Sequence, residues 1–289
     1  MDFDNSWDAL VKPGLATNFF DLANRPRFEP EGSAYSAGNA WWLAEISRLI
    51  YRQGTDEVSS ASGPTRVEIL KRVGLGEVRF VKDGKAQCAI IEPPESSETR
   101  FRILVFRGSH NLRDWFTNLQ ALPTAWPKGG KVHEGFRIAL DAVWDGLERI
   151  LEADDRPTFY TGHSLGAALA TLAASRRAPR AAYTFGSPFV GDQDFQSTLS
   201  GTKVYRVINN RDVVTTVPPW GDFVHVGEKR YIMHDGQIAV DPTDHVIALD
   251  RAKRDGSLFS LDWHTYVSPP EYMADHAPVN YVAHLERAL

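Results

Sequence analysis

Cysteine is almost absent from this sequence of 289 residues, which contains only Cys88. An intrachain disulfide is therefore excluded. The neighbours of Cys88 alternate between apolar and polar, which predicts a strand residue rather than a nucleophile.

Strong net charge and long apolar runs are also lacking. The formal net charge is only −5, and no basic cluster favours a nucleic acid or an anionic membrane as partner. Every apolar run is far shorter than the roughly 20 residues that span a bilayer, so we expect no transmembrane segment. The acidic start Met1–Asp4 is unlike a secretory signal. A soluble protein is expected, and its location stays open between the cytoplasm and export by another route or as a processed form.

The composition is that of a globular protein, with 43% hydrophobic and 24% charged residues. No internal repeat, low-complexity tract or linker interrupts the chain. Strand patterns alternate with helix patterns, which predicts one α/β domain over residues 1–289 with a mixed, mostly parallel sheet. Residues 1–34 are polar and rich in Pro, Asp and Asn, and are predicted to form an N-terminal arm.

Hydrophobic periodicity predicts most of the individual elements. The predicted helices are Ala37–Tyr51, Pro64–Val73, Val132–Leu151, Asp192–Leu199 and Val279–Leu289. The predicted strands include a hairpin around residues 82–85, then Phe101–Phe106, Thr158–Thr161, Ala182–Phe185, Lys203–Ile208, Phe223–Val226 and Arg230–Met233. Residues 240–275 show little periodicity and are predicted to be mostly loop.

A strand pattern breaks at Gly162 and becomes a helix of Ala and Leu, with Ser164 at the break. The motif Gly-x-Ser-x-Gly in this setting predicts a nucleophile elbow, a sharp turn that exposes the serine hydroxyl. Gly162 and Gly166 let the strand and the helix pass closely. A Ser/Gly turn that merely caps a core helix is the alternative, but the flanking strand and helix favour the nucleophile.

A serine nucleophile needs a base and an acid. In hydrolases with a nucleophile elbow, the acid follows the serine along the chain and the histidine follows the acid. Asp212 follows a predicted strand at its carboxyl end, where catalytic groups of parallel sheets lie. The alternative is that Asp212 only caps a turn. Asp222 and Asp235 are weaker candidates.

Six histidines follow Asp212, at positions 225, 234, 245, 264, 276 and 284. His276 fits best, because it lies in a loop just before the last helix, where its side chain can reach the elbow. His264 is the main rival, and spacing alone favours His276 only modestly.

Metal and cofactor motifs are weak in this sequence. His133-Glu134 begins a zinc-type motif, but Arg137 stands where the second histidine would be. We therefore expect no catalytic metal and no cofactor.

Several motifs, in a fixed order, resemble the class-3 lipases, a family of α/β-hydrolases. They cover most of the chain from about Tyr35 onwards. The motifs are Phe106-Arg107-Gly108-Ser109 followed by Asp114-Trp115, Val132-His133-Glu134-Gly135-Phe136, Gly162-His163-Ser164-Leu165-Gly166, Thr184-Phe185-Gly186-Ser187-Pro188, Asn210-Arg211-Asp212-Val213-Val214, and Asp275-His276 with Tyr281 and Leu285.

The resemblance implies roles for particular residues. Ser164 would be the nucleophile, Asp212 the acid and His276 the base. The backbone N–H groups of Leu165 and Ser109 would form the oxyanion hole. Residues 111–119 would form a short lid helix with an apolar stripe made of Leu112, Trp115, Phe116 and Leu119.

The implied activity is that of a triacylglycerol lipase, which hydrolyses lipid esters at a lipid–water interface with peripheral contact only. The alternatives are a feruloyl, aryl or short-chain carboxylesterase and a non-catalytic lipid-binding scaffold. Fungal members of the family are secreted and disulfide-bonded, whereas this chain has neither a visible signal nor a cysteine pair. That difference predicts a member of the bacterial type.

Overall fold

The computed structural model describes residues 1–54, 63–84, 86–109, 122–218, 221–254 and 269–289. The strands in this part of the chain are β1 (Gly76–Asp83), β2 (Ala86–Glu92), β3 (Arg102–Phe106), β4 (Pro123–Ala125), β5 (Lys131–His133), β6 (Thr158–His163), β7 (Ala181–Phe185), β8 (Gly191–Asp192), β9 (Val204–Asn209), β10 (Phe223–Val224), β11 (Glu228–Ile232) and β12 (Ile238–Val240). The α-helices are α1 (Trp7–Val11), α2 (Ala37–Leu49), α3 (Arg66–Arg72), α4 (Glu134–Leu151), α5 (Leu165–Arg176), α6 (Gln193–Ser197), α7 (Asp244–Arg254), α8 (Glu271–Ala274) and α9 (Pro278–Arg287). Two 3-10 helices cover Pro13–Leu15 and Val213–Thr216.

The central sheet has the strand order β1-β2-β3-β6-β7-β9-β11-β12. The run from β3 through β6, β7 and β9 to β11 is parallel, and the outer pairs are antiparallel. A smaller antiparallel sheet has the order β10-β8-β5-β4. The predicted mixed and mostly parallel sheet of an α/β-hydrolase is confirmed.

Both faces of the central sheet are covered, as the residues of β6 illustrate. Successive strand side chains point to opposite faces, and Phe159 packs in a core with α2 and α9, whereas Tyr160 packs in a core with α4 and α5. All five residues of β3 are buried, as expected for a strand between two helical layers. This layering fixes the carboxyl ends of the parallel strands at one edge, where the site described below lies.

The N-terminal segment packs on α2 through buried arginines. Arg48 forms an ion pair with Glu45 at 2.9 Å and donates to the carbonyl of Asn18 at 2.8 Å. Glu45 also accepts the N–H of Phe20 at 2.9 Å. Burial raises the pKa of Glu45, while Arg48 opposes that rise. Phe20 is part of the core beside α2, so this segment contributes apolar contacts as well as polar ones.

Two predictions about secondary structure were wrong. The described residues between 240 and 275 are mostly helical rather than loop, because they form α7 and α8. In α7, Val246 and Leu249 are exposed and Asp250 is buried, so the helix lacks the usual apolar stripe. The predicted helix from Val132 begins only at Glu134, because Lys131–His133 pairs with β4 as a strand.

Among the described residues, no helix combines the length and the apolar character that a membrane span requires.

Candidate active site

Ser164 lies on the turn between β6 and α5. Its backbone has φ 60° and ψ −128°, in a region that residues with a Cβ rarely adopt. The turn is held by the N–H of Ser164, which donates to the carbonyl of Phe185 at 3.0 Å, and by the Ser164 carbonyl, which accepts from Ala167 at 2.9 Å. This strained strand-to-helix turn has the geometry expected of a nucleophile elbow.

The two glycines of the elbow lie where no side chain fits. A Cβ on Gly162 would lie 2.3 Å from the backbone of Gly166. A Cβ on Gly166 would lie 2.2 Å from the carbonyl oxygen of Phe106. The first turn of α5 therefore sits directly against the end of β3, the strand that leads to Ser109.

Asp212 follows β9 and begins the 3-10 helix Val213–Thr216. Its Oδ1 accepts the N–H of Val214 at 2.9 Å, and its Oδ2 accepts Nδ1 of His276 at 2.8 Å. Asp212 thus caps the turn with one oxygen and holds the histidine with the other. The weaker candidates Asp222 and Asp235 are both exposed.

His276 lies between α8 and α9 and is 1% exposed. The strand that carries Asp212 also holds this segment, because Nδ2 of Asn209 donates to the carbonyl of Asp275 at 3.0 Å. The N–H of Arg211 donates to Oδ2 of Asp275 at 3.1 Å. These bonds fix the acid and the histidine relative to each other.

The other histidines after Asp212 lie elsewhere. His225 donates to the carbonyl of Thr215 at 2.8 Å and stacks on Phe189, and burial and then Arg206 hold its pKa well below the usual value. His234 bonds to Asp250, and His245 is exposed on α7. His284 lies within α9, and the rival His264 lies outside the described residues.

The ring of His276 packs beside the elbow. Its centroid is 4.4 Å from that of His163, the residue before Ser164. Oγ of Ser164 and Nε2 of His276 are both buried, and neither has a hydrogen-bond partner among the described residues. Ser164, His276 and Asp212 are therefore gathered at one edge of the sheet, with the serine hydroxyl and one ring nitrogen uncommitted.

The two residues predicted for the oxyanion hole flank the elbow. Leu165 is the first residue of α5, so its N–H has no partner within the helix. Ser109 is half-buried and follows β3, which pairs with β6 so that Phe106 is opposite Gly162. The predicted lid residues Leu112, Trp115, Phe116 and Leu119 lie outside the described residues.

Two residues support the Asp212–His276 pair without having been assigned a role from the sequence. Gly186 has φ 59°, and a Cβ there would lie 2.6 Å from Oδ2 of Asp212 and 2.9 Å from Nδ1 of His276. Tyr281 donates from Oη to Oδ2 of Asp212 at 2.5 Å. Burial and the Asp212 carboxylate raise the pKa of Tyr281 well above its usual value, so the phenol stays a donor. A glycine directly after strand β7 was the available signal for Gly186.

Within the described ranges, no group of three or more His, Cys, Asp and Glu side chains is placed to hold a metal ion.

A mixed central sheet covered by helices on both faces, with a serine on the turn after its middle strand, is the α/β-hydrolase arrangement. Residues 103–221 match the family model described as lipase (class 3). This match supports the resemblance to the class 3 lipases that the motifs of the chain predicted.

Curated relatives come from fungi and a plant. The chain is 32% identical to a lipase of Rhizomucor miehei over 50% of its own length and 44% of that protein. It is 36% identical to the chloroplastic phospholipase A(1) DAD1 of Arabidopsis thaliana over 40% of its length and 33% of that protein. It is 30% identical to secreted mono- and diacylglycerol lipase 1 of Fusarium solani over 61% of its length and 58% of that protein. The chain therefore spans less than two thirds of each of these relatives, and they do not test the prediction of a bacterial-type member.

Solved structures support the fold. A mono- and diacylglycerol lipase from Aspergillus oryzae superposes with a TM-score of 0.57 at 21% identity, over 74% of this chain and 86% of that one. A mutant form of MDLA from Penicillium cyclopium superposes with a TM-score of 0.56 at 21% identity, over 82% of this chain and 95% of that one.

Proposed function

We propose that this protein is a serine carboxylic-ester hydrolase that acts on lipid esters. The observation that carries the proposal is the buried Asp212–His276 hydrogen bond beside a serine held at positive φ. The match of residues 103–221 to the class 3 lipase model supports the same function.

In the proposed reaction, Oγ of Ser164 attacks the ester carbonyl while Nε2 of His276 takes the hydroxyl proton. Asp212 keeps the proton of His276 on Nδ1, which leaves Nε2 as the acceptor, and stabilises the imidazolium that forms. The negative oxygen of the tetrahedral intermediate accepts from the N–H groups of Leu165 and Ser109.

The intermediate then collapses, and the alcohol leaves with the proton from His276. Water, activated by the same histidine, hydrolyses the acyl-enzyme and restores Ser164. The buried surroundings of the acid–base pair strengthen its electrostatic interaction relative to bulk water.

The proposed substrate class is supported by the match to the family model and by the names of the relatives. Relatives are named as a lipase, a phospholipase A(1) and a mono- and diacylglycerol lipase. We propose a lipid ester as the substrate, with a peripheral contact at the lipid–water interface and residues 111–119 as a lid.

The test is labelling with a fluorophosphonate, followed by mass spectrometry of the modified peptide and a profile of ester substrates. We expect one label, on Ser164, and none in Ser164→Ala. The profile runs from p-nitrophenyl acetate to palmitate, with emulsions of tri-, di- and monoacylglycerol, a phospholipid and a feruloyl ester.

Each outcome of this experiment is informative. Turnover of emulsified acylglycerols or phospholipids supports the proposal. Preference for the feruloyl ester or the shortest soluble esters would replace it with an esterase, and absence of label and turnover would indicate a non-catalytic lipid-binding scaffold.

A further inference from the structure

His163 occupies an unusual position, because it directly precedes Ser164 and is buried between two segments of the site. It is 3% exposed, and its Nε2 lies 2.7 Å from the carbonyl oxygen of His276. Its Nδ1 lies 3.1 Å from Oη of Tyr51. Neither contact is part of the reaction proposed above.

The direction of these two hydrogen bonds follows from the chemistry of the partners. A carbonyl oxygen only accepts, so Nε2 of His163 carries the proton and donates to His276. Burial, followed by the neighbouring His276, holds the pKa of His163 well below its usual value, so the ring is neutral. A neutral imidazole protonated on Nε2 has a lone pair on Nδ1, which must accept the hydroxyl proton of Tyr51.

Tyr51 continues the connection to the segment after β3. Its hydroxyl lies against the backbone of Gly108, and burial raises the pKa of the phenol above its usual value. A Cβ on Gly108 would lie 2.0 Å from that hydroxyl oxygen and 2.7 Å from the carbonyl oxygen of His163. The backbone at Gly108 thus lies so close to the Tyr51 hydroxyl and to the elbow that no side chain fits at this position.

One directed chain of hydrogen bonds results. Tyr51 donates to His163, and His163 donates to the carbonyl of His276. It begins at the hydroxyl that packs against Gly108, the residue before Ser109, whose N–H is proposed for the oxyanion hole, and it ends on the backbone carbonyl of the proposed base.

We propose that Tyr51 and His163 are positioning residues that hold the Gly108–Ser109 segment and His276 in one arrangement around Ser164. The inference rests on the proposed function. The close contact of the Tyr51 hydroxyl with Gly108 restrains the backbone that presents the Ser109 N–H, and the bond from His163 to the His276 carbonyl fixes the backbone that carries the base. Hydrogen bonds in such a chain strengthen one another, so the positions of the Gly108–Ser109 segment and of His276 depend on each other.

The first experiment separates positioning from general stability. Tyr51→Phe removes only the hydroxyl group. The control is Tyr183→Phe. The Tyr183 hydroxyl accepts the backbone N–H of Ser36 at 3.1 Å and donates to the carbonyl of Ala34 at 3.3 Å, so its hydrogen bonds lead to the N-terminal part of the chain and not to the site. Each variant loses the hydrogen bonding of one tyrosine hydroxyl.

On a soluble ester, we expect Tyr51→Phe to lower kcat about tenfold with little change in KM, since loosening an oxyanion donor costs less than the 10²- to 10³-fold of deleting one. Tyr183→Phe should change kcat less than about twofold, while the melting temperatures of the two variants fall together. The loss in Tyr51→Phe combined with His163→Gln should be smaller than the product of the single losses, because both residues serve one network. Equal kcat values for Tyr51→Phe and Tyr183→Phe would overturn the inference.

The second experiment does not depend on turnover. Nitrogen-15 NMR of histidine-labelled wild-type protein should show His163 protonated on Nε2 and unchanged through the neutral pH range. A proton on Nδ1 would break the chain and refute the inference even if the protein is an active esterase. If instead Ser164 is not labelled and no ester is turned over, the proposed function fails, and with it the catalytic role assigned to Tyr51 and His163.

Discussion

Tyr281 and His276 share one oxygen atom of Asp212: Oδ2 accepts Oη of Tyr281 at 2.5 Å and Nδ1 of His276 at 2.8 Å. The phenol therefore withdraws part of the negative charge that the carboxylate offers to the histidine. Tyr281 also accepts the N–H of Asn209 at 3.1 Å, which fixes its hydroxyl.

Tyr281→Phe should lower kcat/KM about tenfold, because Asp212 loses a hydrogen bond that fixes the oxygen atom holding His276, and a small displacement of an acid–base pair slows the reaction. The measurement is kcat/KM on a soluble ester. An unchanged kcat/KM would show that the Tyr281 hydroxyl does not position the pair.

Ser164→Ala and His276→Ala should each lower kcat by about 10⁴- to 10⁶-fold, and the double variant should be little worse, because a triad acts as a unit. The assay is hydrolysis of p-nitrophenyl butyrate, with circular dichroism to show that the fold is intact. The control is His264→Ala, which should lose far less. A reversed order of the two histidine variants would assign the base to His264.

Gly186→Ala should lower kcat/KM by about 100-fold, because a displacement of about 1 Å in an acid–base pair has that effect. The added Cβ would meet both Asp212 and His276. Gly74→Ala is the control, since Gly74 also has positive φ, 77°, but a Cβ there would meet nothing within 4 Å. Gly74→Ala should lose about 1 kcal/mol of stability from backbone strain alone, and Gly186→Ala should lose more because its Cβ also meets packed atoms. Equal activity in the two would show that the site tolerates the methyl group.

The proposed lid is tested by Trp115→Ala, assayed with one ester below and above its solubility limit. If the apolar stripe covers the cleft in water and turns outward at an interface, the buried apolar area adds about 25 cal/mol per Å² to interface binding. We then expect a large loss on dispersed ester and a small loss on dissolved ester. Equal losses, together with a lower melting temperature, would instead place Trp115 in the core.

The sequence predicted the parts of the site that depend on local geometry. The Gly-x-Ser-x-Gly motif after a β pattern fixes a strand-to-helix turn, and Ser164 lies on that turn. Asp212 was identified because it follows a strand of the parallel sheet, whose carboxyl ends converge on one edge. His276 required the family resemblance, because several histidines share the sequence features of a base.

The long-range supports of the site could not be read from local patterns. Tyr51 follows helix α2 and meets His163 across more than a hundred residues of sequence, so no local spacing connects them. The short strand β8 has two residues, too few to show alternation. Helix α7 was missed because its buried residue is Asp250, held by Asn210 at 2.8 Å and by Tyr231 at 3.2 Å, rather than an apolar residue.

The buried, neutral His163 should make the protein less stable as the pH falls. In the unfolded chain a histidine binds a proton below about pH 6.5, whereas burial keeps the folded His163 unprotonated. The unfolded state then binds more protons, so the free energy of unfolding falls by about 1.4 kcal/mol per pH unit below that value, until the pH reaches the lowered pKa of the folded state. In His163→Gln this contribution is missing, and the fall between about pH 7 and about pH 5 should be smaller by up to about 2 kcal/mol. Urea unfolding at both pH values measures it, with His245→Gln, at an exposed position, as the control. Identical pH dependence in wild type and His163→Gln would mean that folded His163 binds a proton as readily as the unfolded chain does, so that burial does not keep it neutral.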